Sequence, residues 1–223
     1  MAKHVYASKS EVAYAELREK ILIGDLEAGS RLSQYAIADE LQISITPLRE
    51  AIRRLHGEGL ITLDAHRNAR VAPMSRHEAR ELFETRRALD PLAVELAAAR
   101  RTAADIERMQ TALEQLLPVT SEWGSAGLSA HRELHTALYT ASHNEVLIGM
   151  LDDIWDKSDR YRRAGLQIAD DPDARRQDFD DHGRLVELVV SSAASQAGEL
   201  MRAHIDQSVT ARALEVWDSA PGE

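Results

Sequence analysis

The sequence predicts a mainly all-α chain in two parts: three helices with a short β-hairpin, then an antiparallel bundle of about six helices. Three observations carry this. Ala, Leu, Glu and Arg are abundant while aromatics are 4% of the chain and prolines number 6, a composition that favours helix. Apolar residues recur at helical spacing through most of the chain. Breakers interrupt that spacing at short intervals, and Pro73 to Ser75 marks a boundary between residues 1–74 and 75–223. At 223 residues, the chain is long enough for two modest domains that each bury a core.

Residues 1–8 read as a loose arm. Ser10 is placed to cap a first helix whose apolar stripe, Val12, Ala15, Leu17, Ile21 and Leu22, ends near Gly24. Gln34 to Leu41 is a short second helix with Ile37, Ala38 and Leu41 inward, and Gln42-Ile43-Ser44 is a tight connection. Thr46 followed by Pro47 predicts the start of a third helix, by hydroxyl capping and by proline at a position whose N–H has no partner; Gly59 stops it. On a wheel of about 100° per residue, Leu48, Ile52 and Leu55 share one side, with Thr46, Arg49 and Arg53 roughly opposite. One face packs; the other touches a partner. Two short helices joined by so brief a turn read as a helix-turn-helix, whose second helix enters the DNA major groove. Ser44, Thr46, Arg49 and Arg53 are the candidate contacts of that helix. Leu60 to Leu63 and Arg70 to Ala72 read as strands of a hairpin wing. His66, Arg67 and Asn68 at its tip could reach backbone or minor groove, and a plain solvated turn accounts for them as well.

After the boundary the pattern predicts only helices, over about 76–101, 103–117, 126–142, 144–165, 173–192 and 195–217, separated by the breakers Pro118, Gly124, Asn144 and Asp171-Pro172. Short links between six helices imply a largely antiparallel bundle.

Several stretches resemble the GntR family of bacterial transcription regulators: GDLEAGSRL, IADELQIS and TPLREAIRRLHGEGLI with the following hairpin. Within them Gln42 stands where the family turn usually has Gly, Ile45 where Arg is common, and Tyr35 where another Arg often reaches DNA. ELFETRRALDPLAVELAAAR and HRELHTALYTASHNEVL resemble the all-helical FCD ligand-binding domain of one GntR branch. The resemblance implies a winged helix-turn-helix over 1–74, an effector-binding and dimerisation domain over 75–223, and a homodimer on a pseudo-palindromic operator, in which two reading helices address half-sites.

The net charge of −10 superficially argues against nucleic acid. By region, however, residues 1–74 hold 10 basic and 10 acidic side chains, and residues 75–223 hold 17 and 27. The neutral part can still present a basic face, here Arg49, Arg53, Arg54, Arg67 and Arg70. No cysteine is present, which excludes disulfides and thiolate metal sites. The N-terminus lacks a signal-peptide core, and no apolar run approaches the roughly 20 residues that span a bilayer, so the expected location is cytoplasmic, with no membrane partner.

Four histidines fall where helical spacing predicts burial: His131 and His135 one turn apart beside Leu128 and Leu138, His182 among Phe179, Val186 and Val189, and His204 beside Met201, Ser208 and Ala211. A lone histidine on an apolar face is usually a hydrogen-bonded core residue. Four together favour a divalent metal, because unpaired buried imidazoles are costly and a His pair at i, i+4 converges on one ion. The FCD resemblance matches His135, His182 and His204 to metal-ligating histidines and places His131 at a carboxylate ligand's position. An all-nitrogen set leans towards transition metals, Zn or Ni foremost, over Mg or Ca.

Arg86 falls into the stripe Leu82, Leu89, Ala93 and Leu96. It can pair with Asp90 at i+4 or offer a guanidinium fork to a small organic acid; arginines line effector pockets in the family. A helical metal hydrolase or lyase with an appended DNA-binding domain is the competing function. Against it, His131-Arg132-Glu133-Leu134-His135 is not HExxH, since the glutamate is displaced by one position, and no nucleophile elbow, P-loop or Rossmann pattern occurs.

Overall fold

A computed structural model describes residues 8–64, 68–116, 124–168, 172–208, 211 and 214. The chain divides into two compact units, Met1–Met74 and Ser75–Glu223.

The first unit contains α1 (Lys9–Ile23), α2 (Gln34–Glu40), α3 (Ile45–Gly57), β1 (Ile61–Leu63) and β2 (Ala69–Val71). Its helix starts differ from those predicted. Ser8, not Ser10, caps α1, in a capping box with Glu11 that satisfies two orphan donors. The buried stripe is accordingly Ala13, Leu17 and Ile21, while Val12 and Ala15 face solvent. α3 begins at Ile45 with Ser44 at the N-cap, so Thr46 lies inside the helix and Pro47 occupies its third position. That position tolerates proline because the first four helical N–H groups have no intrahelical acceptor. Leu48, Ala51, Ile52 and Leu55 are buried, packing against α1, α2 and β1. α3 closes in a Schellman arrangement: Gly59, at φ 76°, donates to His56 O and Leu60 donates to Leu55 O.

β1 and β2 pair antiparallel in the register Ile61↔Val71, Thr62↔Arg70, Leu63↔Ala69. The segment before α2 joins them, with a bridge between Arg31 and Arg70 and a bond from Leu32 N to Ala69 O. Gln42, in the helix-turn-helix turn, has φ 53°. Its Nε2 donates to Asp39 O at 2.8 Å, a local anchor for a left-handed conformation that β-carbon sterics disfavour.

The second unit contains α4 (Arg76–Arg100), α5 (Ala103–Glu114), α6 (Gly124–Thr140), α7 (Glu145–Ile168), α8 (Pro172–Val190) and α9 (Ala194–Asp206). Gly124 opens α6 instead of separating helices, and Pro172 opens α8, where its missing donor costs nothing. Pro118 and Asp171 lie outside the described residues. α9 stops at Asp206, short of the predicted 217; residues 211 and 214 are again helical. α4 packs on α9 more extensively than any other pair of elements. At Gly198 on α9 the Glu95 side chain of α4 fills the space a Cβ would take. α5, α6 and α8 complete the main core, and Ala93, Tyr139, Leu147, Leu151 and Trp155 form a second cluster between α4, α6 and α7.

Asp105 ties one end of this unit together. Fully buried, it accepts bonds from Thr102 N and Oγ1, from Arg108, and from His143 Nε2 at 2.7 Å. Burial opposes its ionisation, but the Thr102 and His143 bonds outweigh it and hold the carboxyl at about 2.

Two outcomes are expected. Gln42→Gly should stabilise the protein to urea by about 1 kcal/mol, relieving the left-handed side chain. Because the Asp105 carboxyl is depressed in the folded state, its stabilisation is complete above about pH 4 and disappears as pH falls through about 2. Asp105→Asn should therefore cost about 2 kcal/mol at pH 7 and flatten that acid limb in urea titrations across pH.

Candidate nucleic-acid interface and histidine centre

Ser44, Thr46, Arg49 and Arg53 are all solvent-exposed on one side of α3. Arg49 Nε donates to Gln34 Oε1 at 3.3 Å, and Arg53 has no hydrogen-bond or ionic partner among the described residues. Between α3, the start of α2 and the base of the hairpin lies an open groove of about 930 Å³, lined in part by Arg31, Gln34, Tyr35, Arg49, Arg53 and Asn68. His66 and Arg67 lie outside the described residues. Asn68 is committed within the hairpin, donating to Asp64 and accepting from Arg31 Nη2 at 2.8 Å. Two arginines expected on the basic face are engaged elsewhere. Arg54 pairs with Glu58 at 3.1 Å and stacks over Tyr14 at 3.6 Å, and Arg70 donates to Gly29 O.

In the second unit, α6 carries His131 and His135, α8 carries His182 and α9 carries His204. All four are buried, and one nitrogen from each lies within 4.8 Å of the others. Phe179, placed inward by the sequence, is 37% exposed. The rings stack or meet edge-on, with His131 and His135 centroids 4.4 Å apart and His182 and His204 4.5 Å apart. His135 Nε2 and His182 Nε2 are 2.9 Å apart. His182 Nδ1 faces the carbonyl of Asp178, and His204 Nδ1 lies 3.8–3.9 Å from the Asp178 and Asp181 carboxylates. Such outer contacts on Nδ1 leave Nε2 for an ion. Burial first, then mutual repulsion and the nearby arginines, push His131 and His135 well below the usual imidazole range. Burial and His204 bring His182 to about 4. Neutral rings with free lone pairs are the protonation state that metal ligation needs.

The cluster fits a transition metal. Bonds of about 2.1 Å put adjacent nitrogens about 3 Å apart around a six-coordinate ion, which would keep two further positions, and about 3.3 Å apart around a tetrahedral one. Both are within the observed span, and His131 Nδ1 is a buried nitrogen with no hydrogen-bond partner among the described residues.

Arg86 is buried, and one edge of its guanidinium is taken. Nε and Nη2 both donate to Asp90 Oδ2, at 3.0 and 2.7 Å, and the guanidinium lies 3.8 Å over the Trp155 ring. The i, i+4 pairing forms, and the outer edge of the guanidinium, Nη1 with the second Nη2 hydrogen, remains for another acceptor. Sequence reasoning missed Trp155 and Arg162, which line the same region from α7, with buried Ser158 one turn along from Trp155. Trp155 contacts His135 at 4.6 Å between centroids, and buried Arg162 donates to Asp159 at 3.1 Å. Their signal was legible, since Leu147, Leu151, Trp155, Ser158 and Arg162 continue one helical stripe into polar residues. Asp90 Oδ1, Trp155 Nε1 and Ser158 Oγ are buried without a hydrogen-bond partner among the described residues.

A helix-turn-helix with a hairpin, joined in sequence to an all-helical bundle, is the architecture of a DNA-binding transcriptional regulator. Residues 9–71 match the bacterial regulatory proteins of the gntR family, and residues 81–207 match the FCD domain. The chain belongs to the GntR family of transcriptional regulators, in the branch that carries an FCD domain, and is not an enzyme. It is 31% identical over 183 residues to the Nta operon transcriptional regulator of Aminobacter aminovorans, covering 80% of this chain and 82% of that one. With the regulator LutR of Bacillus subtilis it shares 28% identity over 201 residues, covering 82% and 91%. The solved structure of Escherichia coli McbR/YncC has the same fold, with TM-score 0.81 at 22% identity, covering 96% of this chain and all of that one. None of these findings supports a hydrolase or lyase. Among the described residues no helix is long and apolar enough to cross a membrane.

Arg86→Ala is expected to lower unfolding free energy by about 3–5 kcal/mol, since it strands the buried Asp90 charge. Arg86→Met combined with Asp90→Leu should recover most of that loss in urea denaturation.

Proposed function

We propose that the protein is a homodimeric regulator whose affinity for a pseudo-palindromic operator is set by a small organic acid. In this reading α3 reads the operator through Ser44, Thr46, Arg49 and Arg53, with His66, Arg67 and Asn68 at the wing. The acid binds beside a divalent metal, Zn or Ni, held by His131, His135, His182 and His204. The observation that carries the reading is the convergence of four buried imidazole nitrogens within 4.8 Å. A divalent ion there would supply positive charge and open coordination positions for carboxylate oxygens. The imidazoles contribute no negative charge, so the loaded site would attract an anion. Arg162 and the free Nη1 of Arg86 add to that attraction. The unpartnered Asp90 oxygen calls for a hydrogen-bond donor on the ligand, and Trp155 Nε1 for an acceptor. Hydroxy acids and sugar acids offer both, which fatty acids and simple amines do not.

The test is metal analysis with native mass spectrometry of the purified protein. About one divalent ion per chain is expected, with a retained small acid lost together with the ion on chelation. His135→Ala, His182→Ala and His204→Ala should each lower metal content and melting temperature, because an ion bound only to the folded state stabilises it by about 2.7 kcal/mol at a hundredfold excess over Kd. His131→Asp should keep the ion with altered preference. Metal-free wild type whose melting temperature neither Zn nor Ni raises would return the four histidines to the role of core residues.

A further inference from the structure

We infer that Arg31 contacts a DNA phosphate, and that the groove between α3 and the hairpin seats one strand of the sugar-phosphate backbone. This deepens the DNA-binding reading and rests on it. Arg31 belongs to no helix, and no periodic pattern singles it out. Its place comes from the bridge to Arg70 and the bond from Leu32 N to Ala69 O, which lash its backbone to the hairpin. Asn68 Oδ1 then accepts from Nη2 at 2.8 Å, anchoring one nitrogen of the guanidinium. Nε and Nη1 have no partner among the described residues.

Three guanidiniums, from Arg31, Arg49 and Arg53, line the groove, and no carboxylate is among its described lining residues. Elsewhere arginines are paired with acids: Arg54 with Glu58, Arg87 with Asp206, Arg132 with Asp156 and Arg162 with Asp159. Unpaired cations gathered at one concavity concentrate positive potential there. At about 930 Å³, the groove exceeds what a single inorganic anion fills. Tyr35 at its edge is 76% exposed, offering a hydroxyl and a ring to backbone or sugar. A preorganised guanidinium beside a reading helix positions the duplex without reading bases.

The experiment is fluorescence anisotropy of the full chain on a labelled duplex of roughly 30 base pairs, three helical turns, across a potassium chloride series. An arbitrary sequence suffices because phosphate contacts are sequence-independent. Arg31→Gln should flatten the slope of log affinity against log salt by about 0.9, the loss of one phosphate contact, equally on a second unrelated duplex. Arg31→Lys should restore most of the slope. A purely structural role for Arg31 would lower the melting temperature and leave the slope of the folded variant unchanged, which overturns the proposal. A loss confined to one duplex would make Arg31 a base reader and overturn it too. If millimolar inorganic phosphate raised the melting temperature of wild type but not of Arg31→Gln while the slopes matched, the groove would be a small-anion site instead. Wild type without salt-dependent duplex binding would take down the DNA-binding reading itself, a result distinct from matched slopes.

Discussion

Four imidazole rings in the core of one helical bundle impose a constraint that the surrounding structure must meet. Each ring brings two polar nitrogens out of water, and a buried nitrogen without a partner costs free energy. The bond between His135 and His182 and the carbonyl of Asp178 satisfy some of them. His131 Nδ1 is left over. The rings converge because α6, α8 and α9 share one core, in which Leu134, Leu138, Leu185, Val189, Met201 and Ile205 fill the space on the apolar side. The remaining side is polar and rests on Trp155, which lies against His131 and His135 and beneath Arg86. An apolar core would gain nothing from this arrangement. It becomes favourable when something shares the nitrogens.

The two units handle positive charge in opposite ways. In the bundle, several arginines are tied to carboxylates on neighbouring turns or helices: Arg132 reaches both Asp156 and Asp159, Arg162 shares Asp159, and Arg87 crosses to Asp206. The acidic excess of residues 75–223 makes such pairing easy and repels a polyanion from that unit. In residues 1–74, where basic and acidic side chains are equal in number, segregation does the work. Arg54 is drawn to Glu58 and Tyr14, whereas Arg31, Arg49 and Arg53 gather where no acid lines the surface. Net charge alone would have hidden this, because phosphate attraction depends on the local field.

Much of this architecture was legible in the chain because it rests on local periodicity. Leu48, Ile52 and Leu55 had to pack once α3 formed, which turned Thr46, Arg49 and Arg53 outward, and the four histidines that helical spacing placed inward are buried. What local reasoning missed depends on partners distant in sequence. Val12 shared a stripe with Leu22 on paper, yet Ser8 and Glu11 fixed the start of α1, and burial fell on Ala13, Leu17 and Ile21. The Gln42 turn was placed correctly, but its left-handed backbone shows only in coordinates. Arg31 lies in an irregular segment whose neighbour in space, Asn68, is far away in the chain. Arg86 had two compatible partners in the sequence; proximity on one helix gave one edge of its guanidinium to Asp90.

α7 connects the polar centre to the point where the bundle begins. Trp155 and Arg162 face the histidine side, while Tyr161, between two arginines and itself buried, accepts a bond from Ser75 N at 3.0 Å and donates to Glu78. Burial and the Glu78 carboxylate push the Tyr161 hydroxyl far above its ordinary pKa, so it stays protonated and keeps donating. Ser75 is both the N-cap of α4 and the first residue past the domain boundary. A ligand can change DNA affinity only through unequal affinity for two arrangements of the protein. Close-packed helices exchange between discrete packings and do not deform continuously. A shift of α7 large enough to re-aim Arg162 would therefore also strain the bonds that Tyr161 makes with Ser75 and Glu78, because the two residues are adjacent on one rigid helix. Any such exchange would carry its cost to the start of α4, whatever the identity of the ligand.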